Sequence, residues 1–195
     1  MASLRIVAGE KRGRRLVAPP GRSTRPTSDR VREAIFSMLE SLEVIEGASV
    51  WDLFAGSGAL GIEALSRGAA YVTLVELAPS AVAVARANLA NLGYGPDRAQ
   101  VVCADALSWL SGEHLGEVCR EKVDIVLADP PYSWQGWRAL LAGLVPFGPL
   151  VVMQTGEEVG LPEGWSSLRC KRYGTTVVTL ARAVDRMRGP DGGGL

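Results

Sequence analysis

Metal ligands are scarce in this sequence. Its 195 residues include one histidine and three cysteines, Cys103, Cys119 and Cys170, an odd number with no Cys-x-x-Cys pair. Neither a disulfide framework nor a zinc site follows from such a set, and no metal is expected. No apolar run is long enough to cross a bilayer, and no apolar signal region follows the N-terminal charges. A soluble, cytoplasmic protein with no membrane partner is therefore expected. Low-complexity blocks are missing too. With 47% hydrophobic and 22% charged residues the composition is ordinary for a globular chain, and the length suits one domain with an appendage. Nothing demands a second copy, so a monomer is expected.

Net charge is also missing, but the balance hides a division. Residues 1–32 carry nine basic side chains against Glu10 and Asp29, a net +7; the remainder carries twelve basic and nineteen acidic groups, a net −7. Such a split points to an N-terminal segment that meets a polyanion. Short strands over residues 4–8 and 15–18 flank Gly9-Glu10-Lys11-Arg12-Gly13 and read as a basic hairpin. Pro19, Pro20, Gly21 and Pro26 then make a linker that cannot be helical. Protecting a strand edge needs fewer cations than Lys11, Arg12, Arg14, Arg15 and Arg22 supply. The arginines Arg12, Arg14 and Arg15 are read as phosphate ligands for nucleic acid. This divides the chain into a basic hairpin and linker over 1–24, a main domain over 25–184, and a tail over 185–195 whose Gly192-Gly193-Gly194 reads as disordered.

Within the main domain the pattern alternates. A helix is expected over 29–42, where Val31, Ile35, Met38, Leu39 and Leu42 recur at helical spacing behind cap candidates Thr27, Ser28 and Asp29. Arg30 and Arg32 fall on its other faces, free for substrate or solvated. Strands are expected over 49–54, 71–76, 100–103, 124–128 and 150–154, with helices over 60–67, 79–92, 106–111 and 137–144 between them. Two further β-rich runs, 166–172 and 175–181 around Tyr173-Gly174, read as an antiparallel hairpin closing one edge. Alternation with apolar strands implies an α/β, doubly wound, mostly parallel sheet, whose ligand sits beyond the carboxyl ends of the strands.

Polar groups stand at four of those ends. Val50 to Gly61 reads as strand, glycine turn and helix start, with Gly56, Gly58 and Gly61 in G-x-G-x-x-G spacing. A dinucleotide pyrophosphate at this helix N-terminus would be repelled by the carboxylate of Asp52. A ligand with a cationic end suits Asp52, and S-adenosylmethionine, with an amino group and a sulfonium, is one. Glu76 ends the second strand twenty residues after Gly56, the separation at which a carboxylate binds ribose hydroxyls. Asp105 follows the third strand and either accepts from an adenine amino group or caps the helix that begins at Ala106.

The fourth strand ends in Asp129-Pro130-Pro131-Tyr132. Both prolines remove donors and fix φ, leaving carbonyls and a carboxylate as rigid acceptors beside an aromatic face on which a base can stack. Such a cluster suits a planar ring bearing an amino group. That amine is a poor nucleophile while its lone pair is delocalised. Accepting its N–H bonds at Asp129 and the Pro130 carbonyl favours a pyramidal nitrogen able to attack. Trp134 and Trp137 beside the loop either stack on substrate or pack.

D-x-F-x-G-x-G followed by D-P-P-Y resembles the class I S-adenosylmethionine-dependent amino-methyltransferases, a Rossmann-like fold with a seven-stranded sheet. Arg5-Ile6-Val7-Ala8-Gly9, Arg12-Gly13-Arg14-Arg15-Leu16, the run from Arg25 to Glu33 and Glu63-Ala64-Leu65-Ser66-Arg67-Gly68-Ala69 tighten the fit. Together these are similar to the bacterial 16S rRNA guanine-N2 methyltransferase family over about residues 4–182. The resemblance implies methyl transfer to the exocyclic N2 of a guanine in small-subunit rRNA, free or in a protein-bound assembly intermediate, with the base flipped into the pocket. It implies that Asp52, Gly56 and Gly58 hold the methionine end, Glu76 the ribose and Asp105 the adenine, with Phe54 and Ala106 also beside the cofactor. Thr27 and Asp129 also border the cofactor. Asp129, Pro130 and Tyr132 take catalytic roles, and Arg12, Arg14, Arg15, Arg25, Arg30, Pro131 and Tyr132 meet RNA. The product is S-adenosylhomocysteine. Gln154 stands where the family pattern has an acidic residue.

Three other readings remain. An amino-methyltransferase acting on adenine N6 of DNA or on a protein glutamine is favoured by Asn in place of Asp129. A nicotinamide oxidoreductase conflicts with Asp52 and lacks Tyr-x-x-x-Lys. A non-catalytic RNA-binding module leaves the Asp129 loop unexplained.

Overall fold

In a computed structural model, residues 4–19, 29–112 and 123–184 are described. Helix α1 (Asp29–Glu40) precedes β1 (Ser49–Asp52), α2 (Ala59–Ser66), β2 (Tyr71–Glu76), α3 (Pro79–Leu92), β3 (Ala99–Cys103), α4 (Ala106–Leu110) and β4 (Ile125–Ala128). Then come α5 (Trp137–Leu144), a 3-10 turn at Val145–Phe147, and strands β5 (Leu150–Thr155), β6 (Trp165–Tyr173) and β7 (Thr176–Ala183). The seven strands form one sheet in the order β3-β2-β1-β4-β5-β7-β6. Strands β1 to β5 run parallel to one another, while β7 runs antiparallel to both β5 and β6. This is the doubly wound, mostly parallel α/β architecture expected from the alternation of apolar runs.

Sequence character explains the unusual order at one edge. Val177, Val178, Leu180 and Ala181 of β7 are buried on both faces, so that strand takes the inner position against β5. The polar and basic run Ser166 to Arg172 of β6 is left on the outer edge of the sheet. Two apolar layers cover the sheet. Ile35 and Phe36 of α1, Ile62 of α2 and Leu89 of α3 pack one face; Trp109 of α4 and Leu140 and Leu141 of α5 pack the other. Gly61 is the point of closest approach of α2 to the sheet. A Cβ there would fall 2.3 Å from Leu74 Cδ2 and 2.8 Å from Val72 Cγ1.

The N-terminal hairpin is present but barely a β structure. Its one bridge joins Arg5 to Arg15, supported by Ile6 N–H to Arg14 O (3.0 Å) and Leu16 N–H to Leu4 O (2.9 Å). Docking holds it instead. Ile6 and Leu16 are buried in the main core. The Val7 and Ala8 N–H groups donate to the two carboxylate oxygens of buried Glu63 at 2.8 and 2.9 Å. At the tip, Glu10 N–H donates to Ser66 O (2.7 Å) and Lys11 N–H to Ser66 Oγ (3.0 Å). Gly9, at φ 80°, lies so close to Ser66 that a Cβ would stand 1.7 Å from its carbonyl oxygen.

Arg32 departs from its expected solvated or substrate-facing place and is fully buried. It donates to Arg5 O (2.6 Å) and Asp29 Oδ1 (2.7 Å), with Nε 3.6 Å from Glu63 Oε2. Desolvation lowers its pKa, and Glu63 and Asp29 oppose the fall. The guanidinium crosses from α1 to α2 and to the hairpin backbone, with buried Glu63 and the Arg5 carbonyl inside and half-exposed Asp29 at its outer end. Elsewhere the differences are in bounds. Helix α1 ends at Glu40 rather than 42, and β1 ends at Asp52 rather than 54 because Leu53 and Phe54 already turn into the glycine loop. The cap candidates Thr27 and Ser28, Arg25, the linker prolines Pro20 and Pro26, Cys119 and the tail 185–195 lie outside the described residues.

Candidate active site

Strand register brings the predicted carboxylates to one edge. Asp52 is level with Leu74 of β2 and Leu127 of β4, and Glu76 with Cys103 of β3, so the carboxyl ends of four parallel strands converge. Each of these strands then feeds its turn outward at the same rim, where side chains can be aimed without disturbing the ladder.

Asp52 is completely buried. Its Oδ2 accepts from Gly61 N–H at 3.0 Å, in the first turn of α2, while Oδ1 has no hydrogen-bond partner among the described residues. Burial pushes the carboxyl up to about 7 from 3.8, and the nearby charges of Asp129 and Glu76 add to the rise. The amides of Gly61 and Phe54 pull the other way. A half-partnered carboxyl at this depth is costly unless a cation or donor completes it. The glycine turn beside it is shaped for a ligand. Gly56 has φ 56° with open space where a Cβ would project, and Gly58 has φ 82° at the N-cap of α2. These features fit a nucleotide-like group with a cationic end.

Glu76 ties that turn to the next strand. Its two oxygens accept from Gly56 N–H and Ala78 N–H, each at 2.8 Å. Asp105 acts as the N-cap of α4, its Oδ1 accepting from Leu107 and Ser108 N–H at 3.0 Å. Of the two roles open to Asp105 the capping role is therefore present in the structure. Ala106 is buried behind it.

The loop after β4 stands on the same rim. Pro130 is buried, Pro131 exposed, and Asp129 half-buried between them and the sheet. Tyr132 is 54% exposed. Its hydroxyl shares a 2.7 Å hydrogen bond with Thr176 Oγ1 of β7. Gly156 backs its ring, where a Cβ would approach Cδ2 to 3.1 Å. The tryptophans pack. Trp134 sits edge-on to Phe54 (5.0 Å) and to Trp137 (5.2 Å), and Trp137 is buried in the core. Phe54 is thus held between the glycine turn and the acceptor loop. Gln154 is buried within β5, level with Val178 of β7.

Of the basic residues assigned to RNA, Arg12, Arg14, Arg15 and Arg30 are exposed. They do not crowd the rim. The hairpin tip is fastened to Ser66, the last residue of α2, and Arg14 donates to Asn91 O near the end of α3. Both helices run away from the carboxyl edge.

Sequence reasoning missed the residue that joins this hairpin to the glycine turn. Asn88 of α3 is buried, accepts from Val17 N–H (2.9 Å) and donates from Nδ2 to Val17 O (3.0 Å) and Ser57 O (2.9 Å). The available signal was an amide on the apolar face of an otherwise Ala- and Val-rich helix. Two surface clefts, one beside Asp124 and Arg182 and one beside Ser66 and Arg98, lie at the opposite ends of the strands and contain none of the expected site residues.

A family model described as "Conserved hypothetical protein 95" matches residues 4–182. The chain is 38% identical over 189 residues to the Ribosomal RNA small subunit methyltransferase D of Escherichia coli strain K12, covering 91% of this chain and 88% of that one. It is 37% identical over 185 residues to YlbH of Bacillus subtilis, covering 91% and 97%. The solved structure of yhhF from Escherichia coli superposes with a TM-score of 0.78 at 33% identity, over 94% of this chain and 99% of that one.

Proposed function

This chain belongs to the Conserved hypothetical protein 95 family, and from that premise we propose that it transfers one methyl group from S-adenosylmethionine to the exocyclic N2 of a guanine in small-subunit rRNA. The observation that carries the reading is the pairing of two carboxylates on one rim. Buried Asp52 keeps an unpartnered oxygen beside the glycine turn, and Asp129, close enough to raise its pKa, opens the acceptor loop. One carboxylate suits a cationic methyl donor and the other an amine. The relative from Escherichia coli that carries the rRNA small-subunit name supports the choice of RNA.

Bound at this rim, S-adenosylmethionine supplies an electrophilic methyl on a sulfonium. Asp52 offers its free oxygen to the amino end, and Gly56 and Gly58 allow close backbone approach. Glu76 faces the ribose while fixing the turn through Gly56 N–H; Asp105 and Ala106 border the adenine. The guanine, flipped from its strand, lies against Tyr132, whose ring is immobilised by Gly156 and Thr176. Asp129 and the Pro130 carbonyl accept its N2 protons, so the lone pair turns toward the methyl carbon. Attack of N2 on that carbon would break the carbon–sulfur bond, leave its electron pair on sulfur and release one N2 proton to solvent. Asp129 rather than Asn at this position favours guanine over adenine N6 or a protein glutamine.

Methyl transfer to small-subunit particles lacking base modifications tests this directly. Nuclease digestion should recover N2-methylguanosine at one site. Label appearing in N6-methyladenosine or in protein would overturn the substrate assignment. In calorimetry S-adenosylhomocysteine should bind and NAD should not; the reverse result would overturn the cofactor.

A further inference from the structure

The arginine-rich tip of the N-terminal hairpin is fastened to the far end of α2, an eight-residue helix and so about 12 Å from the rim where a base would react. The segment after it returns toward the glycine turn through Val17 and Asn88. A flipped base is held by its own strand, so the phosphates on either side of it need cations near the acceptor loop. Among the described residues the turn between β6 and β7 offers them there, alongside exposed Arg138 at the start of α5. The turn between β6 and β7 lies at the carboxyl end of the sheet, because β7 starts opposite the end of β5, with Val177 level with Thr155. It is hooked to the acceptor loop by the Tyr132–Thr176 bond, and Arg172 donates to the carbonyl of Gly156, the residue behind the Tyr132 ring (3.2 Å).

This hairpin is charged against the trend of its surroundings. Residues 33–195 are net acidic, yet residues 165–183 hold Arg169, Lys171, Arg172 and Arg182 and no carboxylate. Lys171 and Arg172 are exposed and Arg169 half-buried. None of the three has an ion-pair partner among the described residues, whereas Arg5, Arg32 and Arg67 all do. Lys171 and Arg169 are level with Val178 and Leu180 of β7, which places them on the sheet face that the N-terminal hairpin also covers. Edge protection would be served by one such charge.

We infer that the β6–β7 hairpin is a second RNA-binding surface, in which Lys171 and Arg172, on opposite faces of the strand end, hold the phosphates flanking the target guanine against the acceptor loop, and Arg169, about 13 Å along β6 from the turn, meets the RNA strand beyond them. The inference rests on the RNA-methylation reading. The N-terminal hairpin then anchors the substrate at a distance, and the rim hairpin sets the strand beside Tyr132.

The test uses the double variant Arg169→Gln/Lys171→Gln in the full chain, with Arg172 kept because it supports Gly156. The KM for small-subunit particles should rise roughly tenfold, with kcat and S-adenosylhomocysteine affinity within twofold of wild type. For protein-free small-subunit rRNA the slope of log affinity against log salt should become shallower by about 0.7 for each phosphate no longer neutralised. The charge reversal Arg169→Glu/Lys171→Glu should weaken binding further, at an unchanged melting temperature. Unaltered KM and salt slope in both variants would overturn the inference while leaving methyl transfer by wild type intact. Weakened binding to particles with unaltered binding to protein-free rRNA would also overturn it, marking the surface as a protein-binding one. Wild type that neither binds rRNA nor transfers a methyl would overturn the underlying reading, and the inference with it.

Discussion

In the proposed reaction Asp52 and Asp129 divide the work at the rim, and their environments separate what each mutation should do. Burial holds the Asp52 carboxyl near pH 7, above its unfolded value. Its neutral form is therefore the one that folding favours. The contribution is fully present below about pH 4 and is lost as pH rises to about 7, a change on the order of 4 kcal/mol. The ligand-free protein should melt at a lower temperature at pH 8 than at pH 5 relative to Asp52→Asn; parallel profiles for the two proteins would contradict this. Binding of a cationic ligand pulls the other way. S-adenosylmethionine affinity should climb with pH up to about 7 and then level off, and Asp52→Asn should be weaker and flat across that range in calorimetry. Asp129→Ala should keep S-adenosylhomocysteine affinity within about threefold and lose at least a hundredfold in kcat, the scale of removing a preorganised polar group from a reacting centre. Single-turnover methyl transfer would check it, and undiminished turnover would remove Asp129 from the acceptor site.

Between elements, the decisive links are side chains that satisfy another segment's backbone. Glu63 and Ser66 of α2 receive the hairpin amides, and Asn88 of α3 holds both polar groups of Val17 while bonding the carbonyl of Ser57 inside the glycine turn. Asn88→Ala leaves those buried groups without partners, at a cost of about 1–3 kcal/mol. The expected result is a lower melting temperature together with a several-fold rise in KM for S-adenosylmethionine, although Asn88 touches no ligand. A melting shift without a change in that KM would limit Asn88 to holding the hairpin. Helix and strand bounds were legible within a residue or two, since apolar periodicity and the Pro79 and Gly93 signals are local. The hairpin strands were not, because docking to α2 replaces most of the ladder that their β-propensity suggested.

Across the molecule, charge and core point to different boundaries. Composition sets the first 24 residues apart as a basic extension, but Ile6 and Leu16 are buried in the core shared with α1, α2 and α3. Removing residues 1–19 should therefore do more than reduce RNA affinity. It strips buried Glu63 and Arg32 of hydrogen-bond partners and should lower the melting temperature by roughly 10 °C or more, a loss of several kcal/mol. A truncated protein as stable as the full chain, assayed by thermal melting, would show the hairpin to be a separable module. Neutralising Arg12, Arg14 and Arg15 instead should leave stability unchanged and flatten the salt dependence of rRNA binding; an unaltered slope would leave them as surface charges.

The sequence by itself determined the alternation of strands and helices, the glycine turn at Gly56, and the four polar strand ends that make up the candidate site. These follow from local chemistry, in which period, turn residues and strand termini are written in consecutive letters. Tertiary structure decided what consecutive letters cannot carry. It drew Arg32 inside, turned Asp105 into a cap, packed Trp134 against Phe54 and left Asp52 with one oxygen unpartnered. It also carried the arginine-rich tip away from the rim and brought the β6–β7 hairpin to it, because burial and hydrogen-bond partners depend on which distant segments the sheet order makes neighbours.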